Sequence, residues 1–334
     1  MRVFLIIVLL FGFLQAIETN EILLLHSYNK GLKWSDGISK GVESVMQKHP
    51  QYELTTEYMD SKKIVSNSYF EELFGLYKKK FASRKYKAVI VADNYAYEFA
   101  LANHDEFFKD TPIVFCGVEN FNPDNIEKHM EPYVTGVVEY KDIKKNIELI
   151  YQAYPAIKTL YIISDSTFSS LSIQDQIKTE AKAFADKFNI IFDNMVDLKT
   201  IDEKLNKLPK ESAILFTSLY VDVNEKYVPY SKLQNFFSHS RFPIFALNKI
   251  HLGEGVVGGF MITPFEQGEL AAKKAFEIIL EQKKPSDIPI STPSGKPYFD
   301  YPLVIKYPLL VSLLPADTIF INYPKSFFEK NKKI

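Results

Sequence analysis

The chain has 334 residues, a formal net charge of −1, 46% hydrophobic residues and a single cysteine, Cys116. A charge near zero with no basic stripe excludes a nucleic-acid binder, and one cysteine excludes an internal disulfide. Because the length exceeds what one hydrophobic core usually organises, we expect two lobes.

The first sixteen residues, MRVFLIIVLLFGFLQA, carry one positive charge, a short apolar run and a small residue where a signal peptidase could cut. This pattern predicts a signal peptide over residues 1–16, because the apolar run is too short for a comfortable membrane span and polar sequence follows at once. We therefore expect a periplasmic protein. Retention of the segment as an uncleaved anchor is the alternative.

Short apolar runs alternate with helical patterns through the first half, which indicates βαβ units and a mostly parallel sheet. Strands are predicted at 21–25, 52–59, 87–92 and 112–116, and helices at 35–47, 68–82 and 95–103. This content is typical of one doubly wound lobe. The polar, proline-bearing segment 118–136 that follows suits a crossing between lobes.

The second half repeats the scheme with different residues. Strands are predicted at 159–163, 190–196, 213–217, 243–247 and 256–262, and helices at 142–154, 172–188 and 267–284. The proline-dense segment 284–302 is expected to return the chain irregularly. One or two further short strands are predicted in the tail, at LVIKY (303–307) and TIFIN (318–322).

The repeated scheme predicts an α/β fold of two doubly wound, Rossmann-like lobes joined by a multi-strand hinge. We assign residues 17–118 and 263–290 to lobe one, and residues 119–262 and 291–334 to lobe two with the C-terminal tail. A chain that leaves the first lobe and later revisits it has several connections at its waist, which favours hinge motion.

Ligands of open parallel sheets bind outside the carboxyl ends of the strands, so polar and aromatic residues that follow the strands are candidate binding residues. The candidates are His26, Ser27, Tyr28, Trp34, Asp93, Asn94, Tyr95, Glu119, Ser164, Ser166, Thr217, Tyr220 and Asn248. Asp93 is the candidate partner of a ligand ammonium, and hydroxyl groups with helix N-termini could hold a carboxylate. The polar candidates could instead cap helices, and Trp34 could instead pack at the surface of a lobe.

Motifs for catalysis or metal binding are weak in the sequence. The six histidines show no zinc-ligand spacing, and no GxxxxGK[ST] pattern occurs. GISKG at 37–41 fits GxSxG but lies inside the predicted helix 35–47, and GEGVVG at 253–258 fits GxGxxG but precedes the end of a strand instead of joining a strand to a helix. We therefore expect a protein that is not an enzyme and that uses no cofactor or metal. A hydrolase that uses Cys116 or His26 is the remote alternative.

Several stretches carry a family resemblance over essentially the whole mature chain: LLLHSYNKGLKWSDGISKGV, VIVADNYAYEFA, PIVFCGVENF, GVVEYKDI, GGFMITPFEQGELAAKKAFEIIL and FDYPLVIKYPLLVSLLPADTIFINYPKSFFE. Through them the sequence resembles the type I periplasmic solute-binding proteins, in the branch of ABC transporter substrate-binding proteins. The domain of this branch also serves as the extracytoplasmic sensor of some bacterial histidine kinases and diguanylate cyclases.

The resemblance implies that a small polar metabolite is captured between two closing lobes and delivered to an ABC permease. An amino acid or a related amine or heterocycle is the expected ligand, with sugars and nucleosides as alternatives. A ligand-sensing receptor that works with a separate membrane-bound histidine kinase or a chemoreceptor is the alternative function. We expect a monomer that binds no nucleic acid.

Overall fold

The computed structural model describes residues 20–64, 66–81 and 84–324, without the side chain of Phe168. The predicted signal peptide, residues 1–16, lies outside the described residues. Within the described ranges, no helix is both long enough and apolar enough to cross a membrane.

Strands and helices alternate along these residues. The strands are β1 (Glu21–His26), β2 (Glu53–Tyr58), β3 (Ala88–Ala92), β4 (Ile113–Val118), β5 (Val134–Val138), β6 (Thr159–Ile163), β7 (Asn189–Asp193), β8 (Ser212–Phe216), β9 (Ile244–Ala246), β10 (Gly258–Met261), β11 (Lys296–Asp300) and β12 (Ile319–Ile321). The α-helices are α1 (Lys33–Met46), α2 (Asn67–Phe81), α3 (Asp93–Ala102), α4 (His104–Phe107), α5 (Ile143–Ala153), α6 (Phe168–Ser172), α7 (Gln174–Lys182), α8 (Ile201–Leu205), α9 (Tyr230–His239), α10 (Pro264–Glu281) and α11 (Tyr301–Lys306).

The first lobe is built on a parallel sheet with the strand order β2-β1-β3-β4-β5. Its central strands are apolar throughout because helices cover both faces of the sheet. On one face α1 packs against α10 so closely that a β-carbon on Gly41 would lie 2.1 Å from the Phe265 carbonyl oxygen. Glycine at this position therefore lets the two helix backbones approach each other.

The second lobe is built on the sheet β12-β11-β10-β9-β8-β6-β7. Its strands are parallel except for the antiparallel pair β10 and β11. Separate apolar clusters lie on the two faces of each sheet, so each lobe has its own core. The predicted α/β fold with two parallel-sheet lobes is confirmed.

The lobe boundary differs from the predicted ranges at one strand. β5 pairs with β4 in the first sheet, whereas residues 119–262 were all assigned to lobe two. The sequence does not predict this strand because it begins within the polar segment 118–136, which favours a crossing between lobes. Ser291, on the return path of the chain, forms a parallel bridge with Val137 of this strand.

The predicted strand at 303–307 is wrong, because this segment lies largely in the helix α11. Pro302 stands in the first turn of α11, where its fixed φ favours a helix and its missing N–H costs nothing. The segment 284–302 is also more regular than expected, since it contains β11. The predicted helix at 172–188 is shorter than expected, since α7 spans only Gln174–Lys182 and a separate helix, α6, ends at Ser172.

Candidate functional site

The carboxyl ends of both sheets meet at a cleft between the lobes. Lys62 follows β2 in the first lobe, and its Nζ lies 2.7 Å from the Ser169 Oγ of α6 in the second lobe. A cavity of about 470 Å³ lies at this junction. Its lining comes from both lobes: Tyr28, Ser61, Lys62, Lys63, Tyr95, Ser166, Thr167, Ser169, Val221, Glu225 and Tyr227.

A larger groove of about 760 Å³ lies on the second lobe alone, between α8 and α9. Its walls belong to a single lobe, so closure of the two lobes would not enclose a ligand there. The cleft between the lobes is the better candidate site, because ligands of doubly wound sheets bind at the carboxyl ends of the strands.

Asp93 is a buried acidic group of the cleft with an unusual backbone conformation. It begins α3 with a φ of 70°, a region that non-glycine residues rarely occupy. Its Oδ1 accepts a hydrogen bond of 2.7 Å from the indole Nε1 of Trp34. Its Oδ2 is buried and has no hydrogen-bond partner among the described residues. Burial raises the pKa of Asp93 to about 8, because it outweighs the Trp34 hydrogen bond and the attraction of Lys62 and Lys141.

Gly117 provides the space that Asp93 needs. A β-carbon at this position would lie 2.8 Å from Asp93 Oδ1, and the φ of Gly117 is 68°. Its backbone N–H donates to Gln267 Oε1 at 3.0 Å, which ties the end of β4 to α10. Any larger residue at position 117 would therefore crowd the Asp93 carboxyl group.

Lys141, just after β5, forms a second group of buried charges together with Glu119 and Glu139. Its ammonium forms an ion pair with Glu119 and lies 3.3 Å from Glu139 Oε1. Burial lowers the pKa of Lys141, but the two carboxylates outweigh this effect and hold it above its usual value. Burial raises the pKa of Glu139 well above its usual range. Glu119 keeps one oxygen, Oε2, without a hydrogen-bond partner in the described part of the chain.

Lys62 lies between two aromatic rings that belong to different lobes. Its Nζ is 4.6 Å from the ring centroid of Tyr28 and 4.2 Å from that of Tyr220. Burial lowers the pKa of Lys62, against the opposing attraction of Asp165 and other carboxylates. Both oxygens of Asp165 are engaged, since Oδ2 accepts from the Tyr220 backbone N–H and Oδ1 accepts from Thr167.

Eight of the thirteen predicted site residues lie at or beside this cleft. They are Tyr28, Trp34, Asp93, Tyr95, Glu119, Ser164, Ser166 and Tyr220. Tyr28, Tyr95 and Ser166 line the cavity directly. Ser164 follows β6, and its buried Oγ has no hydrogen-bond partner within the described ranges. Contact of any of these residues with a ligand stays a prediction.

The other five predicted residues use their side chains for hydrogen bonds within the protein. Ser27 Oγ accepts from the Ala96 N–H at 2.8 Å and so supports the start of α3. Asn94, Thr217 and Asn248 bond to backbone groups of Glu119, Ile163 and Ile250 respectively. His26 stacks on Tyr58 with ring centroids 5.0 Å apart, and its Nε2 lies 2.9 Å from Ser39 Oγ.

The two nucleophile candidates lie in environments that suppress reactivity. Burial raises the pKa of the Cys116 thiol well above its usual value, so the thiolate is disfavoured. Burial lowers the pKa of His26 to about 3, so its ring is neutral. Across the described residues, no group of three or more His, Cys, Asp or Glu side chains is arranged to hold a metal.

Sequence reasoning missed Lys62, Asp165 and Lys141. The strand-end rule could have found all three, because Lys62 lies a few residues beyond β2 and Lys141 lies just beyond β5. The sequence prediction draws no candidate from the end of β2 and contains no strand at β5. Asp165 lies within a strand-end cluster of the sequence from which only its neighbours Ser164 and Ser166 are predicted site residues.

Two doubly wound lobes with their strand ends facing a common cleft define the type I periplasmic binding fold. The chain belongs to the ABC transporter substrate binding protein family, whose sequence profile matches residues 37–299. The predicted resemblance is therefore confirmed. Among curated proteins, none matches this sequence.

Solved structures share the fold at low sequence identity. The ABC domain from Streptococcus pneumonia in complex with L-Trp has a TM-score of 0.64 at 16% identity, covering 90% of this chain and 100% of that one. A substrate binding protein with adhesive properties from Clostridium difficile, in a ligand-free, open structure, has a TM-score of 0.63 at 15% identity, covering 90% and 98%. A conserved domain protein from Vibrio cholerae has a TM-score of 0.62 at 14% identity, covering 90% and 100%.

Proposed function

We propose that this protein captures a small amine-bearing metabolite, with amino acids as the leading class, between its two lobes and delivers it to an ABC permease. The observation that carries the proposal is the pair of buried carboxyl groups of Asp93 and Glu119, each with one oxygen that no described residue engages. A buried polar atom without a partner costs free energy, so a site that keeps two of them is suited to a donor from outside.

An ammonium group matches both carboxyl groups. It donates up to three hydrogen bonds and compensates the negative charge that burial disfavours at Asp93. When it arrives, Asp93 releases its proton and becomes a carboxylate. The resulting charge-assisted hydrogen bond is stronger than a neutral one.

The rest of a zwitterionic amino acid also finds suitable groups in the cleft. Lys141 and the hydroxyl of Ser164 are donors for a carboxylate. The L-Trp in the solved pneumococcal domain supports the same ligand class by analogy. Hydroxyl and carbonyl ligands such as sugars would leave the buried charges unmatched.

Export and transport complete the proposal. The signal-like segment at residues 1–16 and the family membership support a location outside the cytoplasmic membrane. In that location, the protein would act without catalysis, as a receptor that presents its closed, loaded form to the permease.

The proposal is tested by thermal-shift screening of the purified exported protein against amino acids, small amines, purines and sugars, followed by calorimetry on the hits. A ligand at one hundred times its Kd stabilises the folded state by about 2.7 kcal/mol. For each amino acid that binds, the analogue with a hydroxyl in place of the amine is the matched control, and it should bind at least tenfold more weakly. Stabilisation by sugars alone, or equal affinity for the hydroxy analogue, would contradict the proposed ligand class.

A further inference from the structure

The ammonium of Lys62 has an unusual environment for a lysine. The side chain is 8% exposed, and lysine is almost never buried to this degree without an ionic partner. The ion pairs of the described residues do not include Lys62. Its contacts are instead the faces of the Tyr28 and Tyr220 rings and the hydroxyl of Ser169.

The backbone around Lys62 is fixed in a way that directs it into the cleft. Asp60 has a φ of 53°, which turns the chain sharply after β2. Ser61 then bonds twice to the carbonyl of Ser27, through its N–H at 3.0 Å and its hydroxyl at 2.7 Å. Because Ser27 precedes Tyr28 and Ser61 precedes Lys62, these two hydrogen bonds position both the lysine and the Tyr28 ring beside it.

Two aromatic faces and one hydroxyl oxygen are the groups that proteins use to bind an ammonium ion. The carboxyl groups of Asp165, Glu119 and Asp93 add an attractive field around the same point, which offsets part of the burial that lowers the pKa of Lys62. Tyr28 belongs to the first lobe, while Tyr220 and Ser169 belong to the second, so the three groups come together only when the lobes meet.

We propose that Tyr28, Tyr220 and Ser169 form an ammonium subsite of the cleft, and that Lys62 is its tethered occupant, which a primary alkylammonium group can replace. The biological sense of this subsite rests on the proposed function, because the amine of a captured metabolite would compete with Lys62 for it. Lys62 thereby sets a threshold, since a ligand must bind better than the protein's own ammonium.

Chemical rescue tests the subsite directly. Lys62→Ala removes a propylammonium group, so n-propylammonium chloride is the matching probe. The variant should melt about 2–4 °C below the wild type, since a desolvated cation–π site and a link between the lobes are lost. Propylammonium at concentrations on the order of 10 mM should restore at least half of this loss. n-Propanol and sodium chloride at the same concentrations should not.

Two further measurements check that any rescue comes from the subsite. Trp34 is the only tryptophan of the chain and is bonded to Asp93, so its fluorescence should respond to propylammonium in the variant and not in the wild type. Adding Tyr220→Leu to Lys62→Ala should abolish the rescue. Lys48→Ala, on the exposed surface of the first lobe, is the control for the loss of a lysine as such.

Lys62→Met keeps the length of the side chain and removes only its charge, and it covers the case in which Lys62→Ala does not fold. A melting temperature near that of the wild type for Lys62→Met would overturn the proposal, because packing would then suffice. Equal rescue by propanol would overturn it as well. Rescue by propylammonium in a protein whose wild type binds no amino acid would support the subsite and contradict the proposed ligand class, so the two failures are distinguishable.

Discussion

The two lobes bring different chemistry to the same cleft. The first lobe contributes buried charged groups with unused hydrogen-bonding capacity, at Asp93 and Glu119. In the second lobe, the hydroxyl of Thr217 and both oxygens of Asp165 are already engaged within the lobe. The hydroxyl of Ser164 is the exception. The first lobe is therefore equipped to recognise charge, whereas the second mainly supplies a preorganised wall and the Tyr220 ring.

Asp93→Asn should have the largest effect on affinity. The amide keeps an oxygen for the Trp34 N–H, but it cannot become a carboxylate when an ammonium arrives. We expect the affinity for the amino acid found by screening to fall about a hundredfold, as for the loss of one partner of a buried charge pair. Calorimetry measures this effect, and an affinity within threefold of the wild type would contradict the role of Asp93.

Thr217→Val is the matched variant in the second lobe. The Thr217 hydroxyl donates to the Ile163 carbonyl at 2.8 Å, so its loss should cost about 1 kcal/mol of folding free energy and leave affinity within about threefold. If this variant lost affinity as Asp93→Asn does, the contrast between the lobes would not hold.

Gly41→Leu should disrupt the packing of α1 against α10 in the first lobe while leaving the charged residues of the cleft in place. The added β-carbon would meet the backbone of Phe265 at 2.1 Å, so α1 and α10 must separate, and α1 carries Trp34. We expect a loss of about 1–3 kcal/mol in the free energy of unfolding, measured by urea titration.

Gly75→Ala is the control for glycine replacement in a helix. A β-carbon there meets nothing within 4 Å, so the substitution in α2 should be neutral or stabilising by up to about 1 kcal/mol. Similar destabilisation by both substitutions would contradict the close contact of α1 with α10.

Much of this fold could be predicted from the sequence, because the central strands are continuous apolar runs bounded by polar strand ends. β5 could not, since VTGVV is short and stands in a polar segment, and only pairing with β4 makes it a strand. The apolar run at 303–307 predicts a strand, but Pro302 and the packing of Val304 against the core favour a helix there.

The candidate site was predictable only in part for a related reason. The sequence shows which polar residues follow a strand, but not which way each side chain turns. Asn94 and Asp93 are neighbours, yet the Asn94 side chain forms two hydrogen bonds with the backbone of Glu119, whereas Asp93 Oδ2 has no hydrogen-bond partner among the described residues. Lys62 gains its role only from Tyr220 and Ser169, which lie more than a hundred residues away in the chain.

Stability should depend on pH through Asp93. Burial raises its pKa from 3.8 to about 8 in the folded state, so between these values the folded protein holds a proton that the unfolded chain has released. Stability from this group therefore falls as the pH rises toward 8, by up to about 1.4 kcal/mol per pH unit. Asp93→Asn should remove this slope, measured as the difference between the two proteins in urea titrations from pH 6.5 to 8.5.

This pH range avoids the opposite effect of two buried histidines. Burial lowers the pKa of His26 and of His251 to about 3, so their contribution to stability is lost as the pH falls below about 6.5. An unchanged slope in Asp93→Asn would assign the pH dependence to another group, with Glu139 as the first to test because burial also raises its pKa.

The smallest effect is expected at the rim of the cleft, where Lys33 of the first lobe pairs with Glu254 of the second at 2.6 Å. The side chains are 43% and 26% exposed, so the pair should favour contact between the lobes by less than about 1 kcal/mol. Glu254→Gln should therefore weaken ligand affinity about twofold at low salt, and the difference should vanish near 1 M salt, where charges are screened within about 3 Å. Glu269→Gln removes a comparable pair with Lys273 that lies within α10 and spans no cleft. Because only a pair that joins the lobes can bias their closure, an equal loss of affinity in Glu269→Gln would show that the rim pair plays no part in it.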